Sequence, residues 1–200
     1  MRAHLAEFGI IAPQGVHRVD ELAAIVTDES DTRVPEQARD VLKILVDQIG
    51  VLTTQIEAIE GRISGWHRSN AVSRRLAGIP GIGPIIASAI VASVPDASVF
   101  RSGREFAAWL GLVPRQTGTG GKMHLGPISK RGDGYLRRLL VNGAMTALMR
   151  SKAIKASAWV AGMKKRQKRP IVIAVALANK MARIAWALMA RGGTYREATA

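Results

Sequence analysis

The stretch from Leu42 to Trp66 constrains the fold more than any other part of the chain. Apolar residues fall at Leu42, Leu45, Ile49, Leu52, Ile56, Ile59, Ile63 and Trp66. Steps of three and four cannot come from a strand, whose period is two; they put all eight on one narrow stripe of an α-helix. Pro35 suits the start of that helix, because its missing N–H would be unpaired there anyway. The opposite face carries Arg39, Asp40, Lys43, Asp47, Gln48, Glu57 and Arg62. So narrow a stripe needs a partner, either its own domain or a second helix in a coiled coil. Gly50 and Gly61 weaken the helix by about 1 kcal/mol each. Residues 1–34 show no long periodic run, and Ala12-Pro13-Gln14-Gly15 is a turn signal. They are expected to form a connector (1–34) leading into a coiled-coil helix (35–68).

Beyond Ser69-Asn70, a helix-cap pair, the pattern changes to short segments. Ala71–Gly78 and Ile85–Val94 read as helices joined by Ile79-Pro80-Gly81-Ile82-Gly83-Pro84. Ser102–Leu110 reads as a helix stopped by Gly111. Val113–Asp133 is glycine-rich and weakly periodic, hence a loop or short hairpin. Tyr135–Arg150 is helical with Leu136, Leu139, Leu140, Ala144 and Leu148 inward. A last helix runs from about Ile171 to Arg191, with Gly192-Gly193 as its left-handed stop. The expectation is an all-α protein: a long coiled-coil helix followed by a small helical domain (69–200) containing a helix-hairpin-helix.

Charge narrows the function. Residues 1–60 hold 5 Lys/Arg against 11 Asp/Glu, a net of −6, whereas residues 61–200 hold 24 against 4, a net of +20. A block that basic repels itself unless a polyanion neutralises it, and nucleic acid is the usual polyanion. The chain has no cysteine, which excludes disulfides and thiolate metal sites. His4, His17, His67 and His124 lack metal-ligand spacing. The N-terminus lacks a signal-peptide layout, and Asn179, Lys180 and Arg183 interrupt the most apolar stretch, so no membrane role is expected.

Two constellations carry the chemistry. In the first, Gly81 and Gly83 are expected to take positive φ. That would leave the amides after them exposed at the start of the next helix, where a phosphate is attracted without any base being read. The alternative is a tight turn with no ligand. The second runs from Gly111 to Arg138. It sets a hydroxyl, Thr119, in a glycine-rich stretch followed by Lys122, then Lys130 and Arg131, then Arg137 and Arg138 in a helix's first turns. Cations in that density suit a phosphodiester and the charge that builds on it during transfer. A hydroxyl also needs activation, and no base is evident in the sequence. The acidic residues Asp96, Glu105, Asp133 and Glu197 do not cluster as a two-metal site requires. The Lys164–Arg169 run reads as a solvated loop or a backbone-tracking segment.

Several of these motifs together resemble the DEDD-type insertion-sequence transposases, the IS-one-ten family. They are Ile79-Pro-Gly-Ile-Gly-Pro84, the run from Phe100 to Gln116, Gly120-Gly-Lys122, Ile128-Ser-Lys-Arg-Gly-Asp133 and Ala176–Leu188. The resemblance extends over essentially the whole chain, including Leu5-Ala-Glu-Phe-Gly-Ile10. It implies an N-terminal RuvC-like domain with a metal-binding Asp-Glu-Asp-Asp set, then a coiled coil, then a C-terminal transposase domain. It further implies oligomers, a structured guide (bridge) RNA in some members, and a serine nucleophile that links covalently to DNA. This sequence departs from that pattern in two ways. The RuvC-like domain is absent, so no cofactor is expected in this chain and Mg2+ belongs to the missing domain. The serine position falls on Thr119.

The resemblance also carries Lys122, Lys130, Arg131, Arg137 and Arg138 over as nucleic-acid contacts. The reading is therefore the C-terminal part of a transposase that binds DNA, self-associates through the coiled coil, and resides in the bacterial cytoplasm at the nucleoid. The alternative is a non-catalytic DNA- or RNA-binding or oligomerisation fragment.

Overall fold

The computed structural model describes residues 1–166 and 168–196, and of Thr119 the backbone alone. It overturns the all-helical expectation. The described residues form ten separate helices and an antiparallel β-hairpin, not one long coiled-coil helix leading into a small helical domain. The chain divides into two compact units, residues 1–61 and 62–200.

In the first unit, α1 (Arg2–Glu7) and α2 (Val19–Thr27) accompany the start of α3 (Glu36–Ser69). Leu5, Ile10, Leu22, Val26, Val34 and Leu42 close a small core. The segment 1–34, expected as a connector, thus supplies five of those six buried residues. Of the heptad stripe only Leu42 is buried. Leu45, Leu52, Ile56, Ile59 and Trp66 are exposed.

Arg39, read from sequence as solvent-facing, is 5% exposed. Its guanidinium donates to the carbonyls of Ile25 (3.1 Å), Val26 (3.0 Å) and Val34 (3.2 Å), and to those of Asp28 and Asp31. The reason is local. The last carbonyls of α2 have no partner within the helix, and a planar five-donor group can serve several at once.

In the second unit, α4 (Ala71–Leu76) and α5 (Pro84–Ser93) are joined by a glycine turn. Then come α6 (Gly103–Trp109), β1 (Pro114–Thr119), β2 (Lys122–Ile128), α7 (Gly134–Arg150), α8 (Lys152–Ala156), α9 (Ala158–Lys165) and α10 (Pro170–Arg191). Asn70 caps α4, its side chain accepting from the Ser73 N–H at 2.8 Å. Buried Ser73 meets His67 Nδ1 at 2.7 Å, which fastens α4 to the end of α3.

The core gathers Leu76, Ile82, Ile90, Phe106, Leu110, Leu136 and Leu140 around α10. Each such side chain, fully buried, contributes about 1.5–3 kcal/mol. α10 has the length and apolarity of a membrane span, but half of that window is buried. Its inner face presents Ala174, Leu177, Met181 and Trp186 to the core, while Lys180 and Arg183 on the other side are exposed. It packs as a core helix. Two long hydrogen bonds pin it: Trp186 Nε1 donates to the Ala97 carbonyl, and Asn179 Nδ2 to the Leu112 carbonyl, each at 3.1 Å.

The glycine turn corrects one expectation. Gly81 has φ +91°, but Gly83 sits at φ −87°, where any residue is at ease. Gly81 is required for a further reason. A Cβ there would lie 2.5 Å from the Gly143 carbonyl oxygen, and one on Gly143 would lie 2.1 Å from that of Gly81. The turn is thus pressed backbone to backbone onto α7.

Candidate nucleic-acid interface

The hairpin is built on a two-residue turn, Gly120 (φ +59°) and Gly121 (φ +80°), the conformation that matches the twist of paired strands. Its register pairs Thr119 with Lys122, Thr117 with His124 and Gln116 with Leu125, with a bulge between Pro114 and Gln116. Directly opposed residues share a face, so His124 stands with Thr117 on one side and Leu125 with Gln116 on the other. Every described side chain from Pro114 to Pro127 is exposed, Met123 and Leu125 to 68% and 69%. The hairpin is an arm that leaves the core at its base.

That base is tightly fixed. The Ser129 N–H donates to the Val113 carbonyl (2.9 Å) and the Lys130 N–H to that of Gly111 (3.1 Å). Lys130 itself takes a left-handed φ of +55°, an uncommon position for a side chain that large. A Cβ on Gly132 would fall 1.8 Å from the Trp109 carbonyl oxygen. Asp133 then caps α7 by accepting from the N–H groups of Tyr135 (2.8 Å) and Leu136 (2.9 Å).

This geometry sorts the residues expected from sequence. Lys130, Arg131 and Arg138 are all exposed, the first two between the arm and α7 and the third in the second turn of α7. Arg137 is half-buried and donates to the Leu110 carbonyl at 3.0 Å, so it also clamps the end of α6. Lys122 lies at the arm's tip with the Thr119 backbone opposite; the Thr119 side chain is outside the described residues. Gly81 touches α7 at Gly143, about 9 Å along the helix axis from Arg137. Gly83 begins α5 with Pro84 next to it, and no side chain caps that helix.

The acidic residues have other work. The Ser98 backbone N–H and hydroxyl both donate to Asp96 at 2.8 Å and hold its carboxyl below the usual range. Glu105 accepts from the Arg101 N–H at 2.7 Å, just before α6, and the Ser102 hydroxyl accepts from the Glu105 N–H and caps that helix. With Asp133 capping α7, each of these three carboxylates holds a turn or helix start; Glu197 lies outside the described residues. No group of three or more His, Asp or Glu able to hold a metal ion occurs among the described residues. The ion pairs among the described residues are Arg18–Glu21, Arg33–Asp31 and Lys43–Glu29, all in the first unit. The cations of 62–196 have no ion-pair partner among the described residues.

Residues 73–159, from α4 through the arm and α7 into α9, match the transposase family IS116/IS110/IS902. The likeness extends well beyond that stretch. A Pseudomonas aeruginosa protein named a probable family 20 transposase is 47% identical over 98% of the chain and 59% of its own length. At the family level the chain matches the IS116/IS110/IS902 transposases. A Sinorhizobium fredii protein with the provisional name transposase y4pF/y4sB is 43% identical over 99% of the chain and 51% of its own length. The Yersinia enterocolitica transposase for insertion sequence element IS1328 is 40% identical over 98% and 58%. The chain spans about half the length of these curated relatives.

Sequence reasoning missed one set of cations. Arg104 on α6, with Lys180, Arg183 and Arg191 on α10, lines a second basic groove. The spacing on α10 was a usable signal, because 180, 183 and 191 fall close to one helical face. In sequence those residues stood out only as interruptions of an apolar run.

Proposed function

We propose that residues 62–196 grip the sugar–phosphate backbone of DNA, as the DNA-binding part of a transposase acting at the bacterial nucleoid. The observation that carries this reading is the unneutralised charge of that region: its described cations have no ion-pair partner among the described residues. Lys130, Arg131 and Arg138 at the root of the arm and Lys122 at its tip are the proposed phosphate contacts, with a lesser part for half-tethered Arg137. The turn at Gly81 and Gly83 delivers the uncapped start of α5, read as a helix-hairpin-helix element that accepts a phosphate. Binding measured by fluorescence anisotropy at stepped salt tests this. The expected log K falls linearly with log salt, by about 0.9 for each phosphate neutralised. Absence of binding at low ionic strength, or binding indifferent to salt, refutes it.

The proposed chemistry is attack by the Thr119 hydroxyl on a DNA phosphodiester. A phosphorus–oxygen bond forms to Oγ1 as the hydroxyl gives up its proton to water, the bond to the leaving sugar oxygen breaks, and that oxygen takes up a proton in exchange. Nearby cations stabilise the charge gathered on the phosphate. The readout is a covalent protein–DNA adduct on denaturing gels, expected to vanish in Thr119→Ala and to persist in Thr119→Ser. A second reading, DNA or RNA binding without strand chemistry, is favoured by the commitment of Asp96, Glu105 and Asp133 to caps. An absent adduct in the parent chain selects it. Self-association along the exposed apolar side of α3 and use of a guide RNA belong to the same proposal. Loss of oligomers in a Leu52→Glu/Ile56→Glu variant tests the first, and co-purification of a discrete RNA the second.

A further inference from the structure

The groove on α10 has no lining residue from the arm, though it adjoins the arm's foot, sharing Ala176 and Asn179 with the pocket beside Pro114 and Ile128. Its volume is about 870 Å3 and its wall includes Arg104, Trp159, Lys180, Arg183 and Arg191, with Trp186 among the lining residues. No acidic residue lines it among the described residues. The four cations are exposed and accept no ion-pair partner among the described residues. Lys180 Nζ stands 5.8 Å from the Trp159 ring centre and the Arg191 guanidinium 5.5 Å from that of Trp186. These are cation–π distances that hold both charges at the wall. Trp186 is anchored through its indole N–H and is 8% exposed, whereas Trp159 is 37% exposed. From Lys180 to Arg191 the cations span about 16 Å of helix, room for more than one nucleotide.

We infer that this groove holds a single-stranded segment of DNA, its phosphates against Arg104, Lys180, Arg183 and Arg191 and a base against the Trp159 indole. The inference rests on the reading that residues 62–196 bind nucleic acid. A row of unpaired cations calls for a polyanion, and a partly exposed indole among them calls for an unstacked base. A duplex keeps its base faces covered, whereas a single strand offers them. Proposed phosphate contacts at the arm need no open base; this groove has a surface suited to one.

The test compares labelled oligo-dT, oligo-rU and a short duplex on the full chain. The triple variant Lys180→Gln/Arg183→Gln/Arg191→Gln is expected to lose at least tenfold in oligo-dT affinity and to keep duplex affinity within about threefold. Lys130→Gln/Arg131→Gln/Arg138→Gln is expected to do the reverse. Trp159→Leu should lose about tenfold for oligo-dT, with Trp159→Phe restoring most of it, and circular dichroism checks that each variant is folded. Unchanged oligo-dT binding in the folded groove variant overturns the proposal, as does an equal loss for both DNA forms. Tighter binding of oligo-rU than oligo-dT at this groove overturns the choice of DNA. A parent chain that binds none of the three refutes the broader reading instead.

Discussion

The two units treat charge in opposite ways. In residues 1–61 acidic and basic groups are brought together: Arg33 with Asp31, Lys43 with Glu29, Arg18 with Glu21, while Arg39 is taken out of water and saturated with carbonyls. In residues 62–196 the scarce carboxylates are spent on backbone N–H groups and the cations are left outward. The first pattern consumes charge in making a small fold coherent. The second keeps charge available for something outside the fold, which net composition alone could not reveal.

Four experiments break or sharpen that contrast. Arg39→Met should be the most damaging, about 3 kcal/mol, because buried carbonyls lose their donor. Hydrogen exchange on the full chain should show lost protection within residues 1–61 and retained protection in the core around α10; uniform loss would mean the two regions unfold as one. Gly143→Ala should cost the second unit about 2–3 kcal/mol by forcing the Gly81 turn off α7, read from the denaturant midpoint. A midpoint that does not move would show that the turn relaxes freely. Lys130→Gln, Arg131→Gln and Arg138→Gln should each lower the salt slope of DNA binding by about 0.9 and leave the melting temperature unchanged. A slope that stays put removes that residue from the interface.

The smallest effect concerns Asp31. Hydrogen bonds from the Arg33 side chain and backbone lower its pKa to about 2 from the ordinary 3.8. A lowered carboxylate favours the fold above the unfolded value, and that contribution fades as pH falls through about 2. Arg33→Ala should move the carboxyl titration, followed by NMR, back toward 3.8. An unmoved titration assigns the shift to other groups.

Much of the helical layout was legible, because three-and-four spacing and cap residues are local signals: α3, α6, α7 and α10 fall near where their apolar periods, Asn70, Ser102 and Gly192 put them. The arm's strands were harder to read. Gly118, Gly120, Gly121 and Gly126 interrupt side-chain alternation, and pairing between 116 and 125 is not a local property. Arg39 was misread because its charge outweighed its position, three residues before Leu42 and so on the apolar stripe. The cations at 130, 131, 137 and 138 were grouped from their nearness in sequence. What sequence could not show is that Arg137 is half engaged with Leu110. The α10 groove needed tertiary contact, since Arg104 and Trp159 reach it from other elements.

The arm from Pro114 to Pro127 contributes no buried side chain among those described. Apart from Gly118, where a Cβ would lie 2.6 Å from the Lys122 carbonyl oxygen, and the Gly120-Gly121 turn, substitutions along it escape packing constraints of the kind Gly81 and Gly143 impose on each other. Descendants of this sequence can lengthen, recharge or reshape that protrusion while the helices beneath stay as they are, so its outer surface is free to drift faster than the scaffold presenting it.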